Sequence, residues 1–268
     1  MSLLLNRYCT EEPAQVWQEA AELWGESDSG SPDAAKVASE AMSRVARNLR
    51  IIVEALAEAS YEFESATPIA SLSEEDKRLI SRFVREIGGI PLTLREFWDQ
   101  IGSVNLCQNS EVIHAAKDPQ MEWGVLDPLF VSSPSQVLSP IFEAIEEEAK
   151  RGVSQVPFWR KHEEEVSTDR SFDCWFANDE FHKANFSGGE NYHYILPNDG
   201  FDFPISGWFG SEQGEELTQE WFIEHLRLAC QGCGFRGRSS ECDETQTLVK
   251  RPPKIPELHE LSGRLEAF

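Results

Sequence analysis

The stretch AAKVASEAMSRVARNLRIIVEAL at residues 34–56 decides the class of fold. Its apolar side chains recur three or four positions apart, and arginine and glutamate side chains fall between them. This spacing is typical of a long amphipathic helix that buries one face. Asp33 precedes the stretch and is a suitable N-cap, because its carboxylate can accept a free amide of the first turn.

A shorter helix is predicted upstream, at residues 12–24. The intervening residues 25–32, GESDSGSP, are rich in helix breakers and favour a turn. We therefore expect the two helices to fold back on each other as an N-terminal helical hairpin. A homo-oligomer that pairs these helices across a twofold axis is one hypothesis for their role.

Further elements follow the hairpin. Capping-box patterns at Ser73 with Asp76, and at Thr93 with Glu96, predict two helix starts. Stretches rich in Val, Leu, Phe or Tyr predict strands at residues 103–107, 129–132, 172–177 and 192–196. Another helix is expected to open at Ser139 and Pro140, and a last one to be capped by Thr218. Helices followed by strands mixed with helices indicate an α+β fold.

We divide the chain into three parts on this pattern. Residues 1–66 form an N-terminal helical extension, residues 67–238 an α+β domain, and residues 239–268 an extended C-terminal arm. The arm is assigned from its prolines and its few large apolar side chains, which do not favour a further packed domain.

The charge of the chain restricts its partners. The 24 Lys and Arg residues stand against 47 Asp and Glu residues, which gives a net charge of −23. Such a chain repels a phosphate backbone, so nucleic acid is excluded as a direct partner, whereas a basic protein would be attracted. Residues 171–232 are the most acidic segment, with 11 acidic and 2 basic residues.

The cysteines and the N-terminus bear on the compartment. Six cysteines are spread thinly over a chain long enough to need no disulfides, so we expect reduced thiols. The three leucines at residues 3–5 are too short a run for a signal peptide, and charges interrupt the other apolar runs. We expect a soluble cytoplasmic protein that does not enter a membrane.

One loop between two predicted strands concentrates polar side chains. Its candidate binding residues are Asp179, His182, Lys183, Asn185 and Ser187. His182 could carry a proton near neutral pH with Asp179 as its orienting partner. The alternative, which we favour because no nucleophile or second base is evident, is that these side chains close turns through the backbone.

Two metal sites can be drawn from the sequence, and neither has a complete ligand pattern. His182, His193 and Cys174 lack a recognised spacing, and His193 alternates with two tyrosines on a predicted strand. Cys230 and Cys233, with Cys242, resemble half of a zinc ribbon whose second pair is missing. We therefore predict structural thiols and neither a metal nor a cofactor.

The eight tryptophans are candidates for core packing or for anchoring a partner. Trp98, Trp175 and Trp221 fit core positions of their predicted elements. Three others lie in irregular stretches: Trp123, Trp159 and Trp208.

Several stretches together resemble the SUKH superfamily, whose Smi/Knr-type members include bacterial immunity proteins. They are IPLTLREFW at 90–98, DPL at 127–129, NDEFHKANFSGG at 178–189, and the helix with its glycine-rich end at 222–235. The resemblance covers most of residues 70–237, and the stretch at 178–189 is its most specific part. Residues 1–66 and the C-terminal arm have no counterpart in it.

The resemblance implies a mixed sheet backed by helices and a role in binding protein partners, often toxins, rather than catalysis. It carries over Asp179, His182, Lys183 and Asn185 as a family-typical loop and assigns no catalytic residue. We therefore expect a non-enzymatic binding module, such as an immunity protein that neutralises a basic toxin domain. The alternative is a small-molecule-binding protein or hydrolase that uses Asp179, His182 and Asn185.

Overall fold

The amphipathic stretch forms a helix of 27 residues, α3 (Pro32–Glu58), in the computed structural model. The residues that the structure describes are 2–26, 30–107, 127–151, 171–176, 192–207, 218–236, 261 and 263–268. The N-cap of α3 is Ser31, whose hydroxyl accepts the amide of Ala34 at 3.4 Å. The predicted cap, Asp33, lies in the first turn because Pro32 takes the first helical position. In these ranges no helix combines the length and hydropathy needed to cross a bilayer.

Two shorter helices precede α3 and contact it: α1 (Leu3–Thr10) and α2 (Pro13–Gly25). The predicted hairpin of α2 and α3 is confirmed, and α1 adds a third helix to it. An ion pair between Arg7 and Glu19, with N–O distances of 2.6 and 2.8 Å, joins α1 to α2. Self-association through these helices stays a prediction.

The capping box at Ser73 is confirmed and begins α4 (Glu74–Glu86). The Ser73 hydroxyl accepts the amide of Asp76 at 3.1 Å, and the Asp76 carboxylate accepts the amide of Ser73 at 3.0 Å. The same carboxylate also accepts the amide of Ser135 at 2.9 Å. One buried aspartate therefore connects the start of α4 to a second helix.

The capping box predicted at Thr93 and Glu96 is wrong. Helix α5 (Leu92–Gln100) begins one residue before Thr93, and it has no side-chain cap. The amide of Thr93 donates to the carbonyl of Phe201 at 3.0 Å, so a neighbouring segment satisfies this end of the helix. The hydroxyl of Thr93 donates to the carboxylate of Asp202 at 2.9 Å.

The predicted start of a helix at Ser139 is also wrong. Helix α6 spans Pro134–Arg151 and contains Pro140 in its interior. Ser133 and Gln136 form its capping box: the Ser133 hydroxyl accepts the Gln136 amide at 3.3 Å, and the Gln136 side chain accepts the Ser133 amide at 2.8 Å. The reciprocal bonds at Ser133 explain why the helix begins there and continues through the proline.

The helix predicted to begin at Thr218 begins four residues later, as α7 (Phe222–Gln231). Thr218 is instead the first residue of a strand, and Trp221 occupies the N-cap position without a side-chain cap. The carboxylate of Asp202 accepts the amide of Ile223 at 3.3 Å and takes over the capping function.

The described strands are short and pair antiparallel throughout. They are β1 (Ile69–Ala70), β2 (Ser103–Asn105), β3 (Asp127–Pro128), β4 (Phe130–Val131), β5 (Phe172–Phe176), β6 (Tyr192–Leu196), β7 (Pro204–Gly207), β8 (Thr218–Trp221) and β9 (Phe235–Arg236). They form three sheets with the orders β1-β2-β4, β3-β9 and β5-β6-β7-β8. The α+β class is confirmed, and within the described residues the sheets are antiparallel where the SUKH resemblance implies a mixed sheet.

One hydrophobic core joins the N-terminal helices to the sheets. The ring of Phe222 on α7 lies 5.6 Å from that of Phe97 on α5 and stacks on Phe203 at 4.9 Å. Trp17 on α2 packs against Phe201 at 4.8 Å. The division after residue 66 therefore crosses a continuous core, and independent domains on its two sides stay a prediction.

The end of the predicted C-terminal arm lies against α3 and α7. The side-chain amide of Asn48 donates to the carbonyl of Glu266 at 2.8 Å, and Asn48 accepts the amide of Glu266 at 2.8 Å. Arg227 donates to the carbonyl of Phe268, whose side chain is buried. Residues 264–268 are thus held by the helices through specific bonds.

Candidate functional site

The loop with the predicted binding residues lies outside the described part of the chain. Its candidates are Asp179, His182, Lys183, Asn185 and Ser187. Whether they converge on one site or close turns is therefore untested. The strands on either side of this loop, β5 and β6, are described and show what surface it adjoins.

Strands β5 and β6 pair along their whole length, from Phe172 opposite Leu196 to Phe176 opposite Tyr192. Side chains of a strand alternate between its two faces, so one face of this pair is buried and the other is open. The buried face carries Phe172, Cys174, Tyr192, Tyr194 and Leu196. As predicted, His193 lies on the face opposite to the tyrosines.

The open face of the four-stranded sheet carries three large apolar side chains that we call the outer-face patch. They are Trp175 on β5, Ile195 on β6 and Trp221 on β8, with exposed fractions of 49%, 47% and 56%. Trp221 pairs with Pro204, and Trp175 pairs with His193, whose other neighbour is Ser206. The members of the patch therefore lie on three of the four strands, and Pro204 of β7 lies beside Trp221.

The outer-face patch corrects the prediction that three tryptophans fill the core. Trp98 is fully buried, and its indole donates to the carbonyl of Ser132 at 2.9 Å. Trp175 is exposed because its position has the opposite parity to the buried Phe172 and Cys174 of β5, and Trp221 is exposed on β8, where it pairs with Pro204. Three other tryptophans lie outside the described residues: Trp123, Trp159 and Trp208.

The strand geometry argues against the zinc site drawn from Cys174 and His193. His193 packs beside Trp175 on the open face, with ring centroids 6.3 Å apart, whereas Cys174 is buried on the other face. Two ligands on opposite faces of one sheet cannot bind the same ion. In the part of the chain that the structure describes, no group of three His, Cys, Asp or Glu residues could hold a metal.

The cysteine pair at the end of α7 behaves as buried thiols. Cys230 and Cys233 are both buried and neither forms a disulfide, and burial raises the pKa of Cys230 to about 12. A thiol with so high a pKa is a poor nucleophile at neutral pH. Cys242, the third cysteine of the half ribbon, lies outside the described residues.

A cavity of about 490 Å³ runs along β5 on the side away from β6, and we call it the β5 groove. One wall is β5 itself, from Phe172 to Trp175. The facing wall comes from β4, α6 and the residues between them. It is mostly apolar, with Phe130, Val137, Pro140, Ile141 and Ala144, and it also carries the polar Ser132 and Gln136. Trp175 belongs to both the outer-face patch and the β5 groove, so the two surfaces are continuous.

The charged groups at the β5 groove are acidic. Glu64 and Asp173 line it, and none of the described lining residues is lysine or arginine. Burial raises the pKa of Asp173 above its ordinary value, while the nearby His193 acts in the opposite direction. A cation bound at the groove would favour the charged form of this carboxylate. The lining therefore suits a ligand with an apolar stem and a positive end.

A second pair of ionisable groups is enclosed beneath the sheet. The Nδ1 atom of His225 lies 3.3 Å from Oε1 of Glu220, and the ring of Tyr192 packs on His225 at 5.3 Å. His225 is buried, and neither residue of the pair lines the β5 groove. The arrangement connects α7 to β8.

The sequence carried a signal for the outer-face patch that a search for motifs misses. In each of β5 and β6 the side chains alternate, so burial of Cys174 and Tyr194 requires Trp175 and Ile195 to face outward. The β5 groove had no such signal. One of its walls is the start of α6, which the sequence placed at Ser139 instead of Pro134.

Comparison of the chain with family models, with curated proteins and with solved structures found no match. The SUKH resemblance therefore rests on the four stretches quoted from the sequence. Its most specific stretch, at residues 178–189, lies outside the described residues.

Proposed function

We propose that the chain is a non-enzymatic protein-binding module that docks a partner on the outer face of its four-stranded sheet. The observation that carries the proposal is the outer-face patch, where Trp175, Ile195 and Trp221 are each about half exposed. Exposed apolar groups on one rigid face are typical of interaction sites, and tryptophan is enriched at the centres of interfaces.

The proposed partner is a basic protein. The net charge of −23 attracts a cationic surface over distances of a Debye length and accelerates association. The segment that contains most of the sheet, residues 171–232, is also the most acidic part of the chain. The outer-face patch and the most acidic stretch of sequence thus lie in the same segment of the chain.

The SUKH resemblance also supports a protein-binding function and makes the kind of partner more specific. It favours an immunity-type role, in which the chain neutralises a basic toxin domain. We propose that the chain acts in the cytoplasm, because none of the described cysteines forms a disulfide. The hydrolase alternative depends on Asp179, His182 and Asn185, and no described geometry favours it.

The test is affinity capture with the full chain, followed by purification of the captured protein and measurement of its Kd. Trp221→Ser should weaken binding by about tenfold or more, since it removes an anchor from the outer-face patch. Val84→Ser is the matched control, because Val84 is an exposed apolar residue on α4, away from the sheet. The association rate should fall as salt is added.

Two results would contradict the proposal. One is a captured protein whose affinity is the same for the Trp221→Ser chain and the unmodified chain. The other is an acidic partner whose association rate does not depend on salt.

A further inference from the structure

We propose that the partner is held by strand addition, in which an extended basic segment pairs with the edge of β5 and lays one lysine or arginine side chain in the β5 groove. The inference rests on the proposed function and specifies how the same site recognises its partner. It depends on two features of the described residues: the edge of β5 and the chemistry of the groove beside it.

The first feature is the edge itself. β5 is the outermost strand in the order β5-β6-β7-β8, so its second edge pairs with no described strand. The carbonyl of Trp175 accepts the hydroxyl of Ser132 at 3.4 Å, and Ser132 lies on the groove side. In an antiparallel ladder, the amide and the carbonyl of one residue point to the same edge of the strand. Those of the residue two positions further along point to that edge too. The amides and carbonyls of Asp173 and Trp175 therefore face the groove.

A strand edge of this kind is a template for another strand. Main-chain hydrogen bonds to an edge supply affinity for any extended segment, and pockets beside the edge select its side chains. β5 offers the outward amide and carbonyl of Asp173 and the outward amide of Trp175, whose carbonyl accepts the Ser132 hydroxyl, and a cavity of about 490 Å³ lies next to them. Both parts of this recognition mode are thus present on one strand.

The second feature is the chemistry of the groove. Lysine and arginine have long apolar stems, which fit against Val137, Pro140 and Ile141 on the facing wall. Their charged ends would meet the carboxylates of Asp173 and Glu64, to which no salt-bridge partner is assigned within the described residues. The same carboxylates would repel an acidic side chain and would offer a purely apolar one no charge interaction. Charge complementarity therefore selects a basic segment.

The probe for the experiment is an acetylated and amidated peptide of about nine residues that alternates threonine and valine around one central lysine. Its binding to the 15N-labelled full chain is followed by the amide resonances of Asp173 and Trp175, which should shift and become protected from exchange. Replacement of the lysine by norleucine keeps the stem and removes the charge, and it should weaken binding about fivefold or more. In the Asp173→Asn chain, the difference between the two peptides should shrink.

Backbone pairing is tested by N-methylation of the peptide on every second residue, in two complementary versions. One version blocks the amides that face β5 and should lose binding, whereas the other should retain it. The Asp173→Pro chain is the matching change in the protein. It removes an amide that faces the groove and leaves the bonds to β6, so it should fold and lose about tenfold in peptide affinity.

Three results would overturn strand addition: no binding of the lysine peptide at millimolar concentration, equal binding of both N-methylated versions, or butylammonium ion binding as tightly as the peptide. The last result would identify a small-molecule site.

Trp221 lies on β8, at the other end of the sheet order. If Trp221→Ser weakens the partner while N-methylation has no effect, the proposed function stands and strand addition is wrong. If the peptide results hold and Trp221→Ser has no effect, the docking face of the proposed function is wrong.

Discussion

The hydroxyl of Thr93 donates to Oδ1 of the buried Asp202 at 2.9 Å, and Oδ2 of the same carboxylate accepts the amide of Ile223 at 3.3 Å. Thr93 lies in the first turn of α5, and Ile223 lies in the first turn of α7. Both helices therefore direct their N-terminal ends at one carboxylate, where the helix dipoles favour negative charge. Asp202 fixes α5 and α7 relative to β7, which belongs to the sheet that carries the outer-face patch.

The first prediction concerns the pH dependence of stability. Burial raises the pKa of Asp202 from 3.8 to about 7, against the opposing hydrogen bonds from Thr93, Phe203 and Ile223. The folded chain therefore binds a proton that the unfolded chain has already released, and the stability from this group is lost as the pH rises from 3.8 to about 7. Asp202→Asn does not titrate. The free energy of unfolding of the unmodified chain, relative to this variant, should fall by up to about 1.4 kcal/mol for each pH unit in that window.

Urea unfolding of both chains across this window measures the difference. Asp99→Asn is the control, because Asp99 is exposed on α5, and its replacement should leave the pH profile unchanged. Parallel pH profiles for Asp202→Asn and the unmodified chain would show that Asp202 has an ordinary pKa in the folded protein.

The second prediction isolates the hydrogen bond from Thr93. Thr93→Val keeps the shape of the side chain and removes the hydroxyl, so it should cost about 1–3 kcal/mol of stability above neutral pH, where the carboxylate is charged. Because the lost bond lowers the pKa of Asp202, the variant should also move its titration to higher pH. Thr67→Val at an exposed position is the control. A loss of stability that is equal at low and high pH would indicate packing alone.

The third prediction concerns Asp76, the other buried aspartate that joins two helix starts. Burial alone would raise its pKa, but the hydrogen bonds from Ser73 and Ser135 outweigh burial and leave the pKa below its ordinary value of 3.8. The pH dependence of stability from Asp76 is therefore opposite to that from Asp202. The stability from Asp76 is present above pH 3.8 and is lost as the pH falls through the lower pKa of the folded chain. Asp76→Asn should cost about 1–3 kcal/mol at neutral pH.

The measurement is chemical unfolding of the Asp76→Asn chain at neutral pH and at acid pH. The cost of the substitution should shrink in acid, since the unmodified carboxylate is then protonated too. The Asp99→Asn chain again serves as the exposed control. If the loss of stability caused by Asp76→Asn were larger in acid than at neutral pH, the pKa of Asp76 would not be lowered in the folded chain.

The two aspartates also show which parts of the fold local sequence can predict. Ser73 and Asp76 form a capping box within one turn, so the pattern alone identified the helix start. Thr93 matches the same pattern, but its hydroxyl bonds to Asp202, 109 residues away. A long-range acceptor of this kind has no local signature in the sequence. The same carboxylate caps α7 at Ile223, which is why the cap predicted at Thr218 is wrong.

The candidate site also combines features that local sequence predicts with features that only tertiary packing creates. The alternation in β6 predicted that Tyr192 and Tyr194 share a face, and the structure confirms it. The exposure of Trp221 was not predicted, because it depends on the pairing of β8 with Pro204 on β7 and not on its own neighbours in sequence. The β5 groove needs α6, β4 and β5 together, so tertiary packing alone creates it.

The fourth prediction concerns the contact between Asn48 and Glu266. Asn48 is fully buried in α3, and its side chain exchanges two hydrogen bonds of 2.8 Å with the backbone of Glu266. Asn48→Ala removes the partners of the Glu266 amide and carbonyl, so it should lower the free energy of unfolding by about 1–3 kcal/mol. Hydrogen exchange at the amide of Glu266 should accelerate in parallel, because residues 264–268 lose their attachment to α3.

Arg47→Gln is the matched control for this contact. Arg47 makes a bidentate ion pair with the Glu266 side chain at 2.7 Å, but both side chains are more than 40% exposed. Water screens such a pair, so its loss should cost only about 0–1 kcal/mol. If Arg47→Gln destabilised the chain more than Asn48→Ala, the surface ion pair and not the buried amide would hold residues 264–268 on α3. Hydrogen exchange at the Glu266 amide would then accelerate as salt is added, because salt screens an exposed ion pair. Attachment through the hydrogen bonds of Asn48 predicts an exchange rate that does not depend on salt.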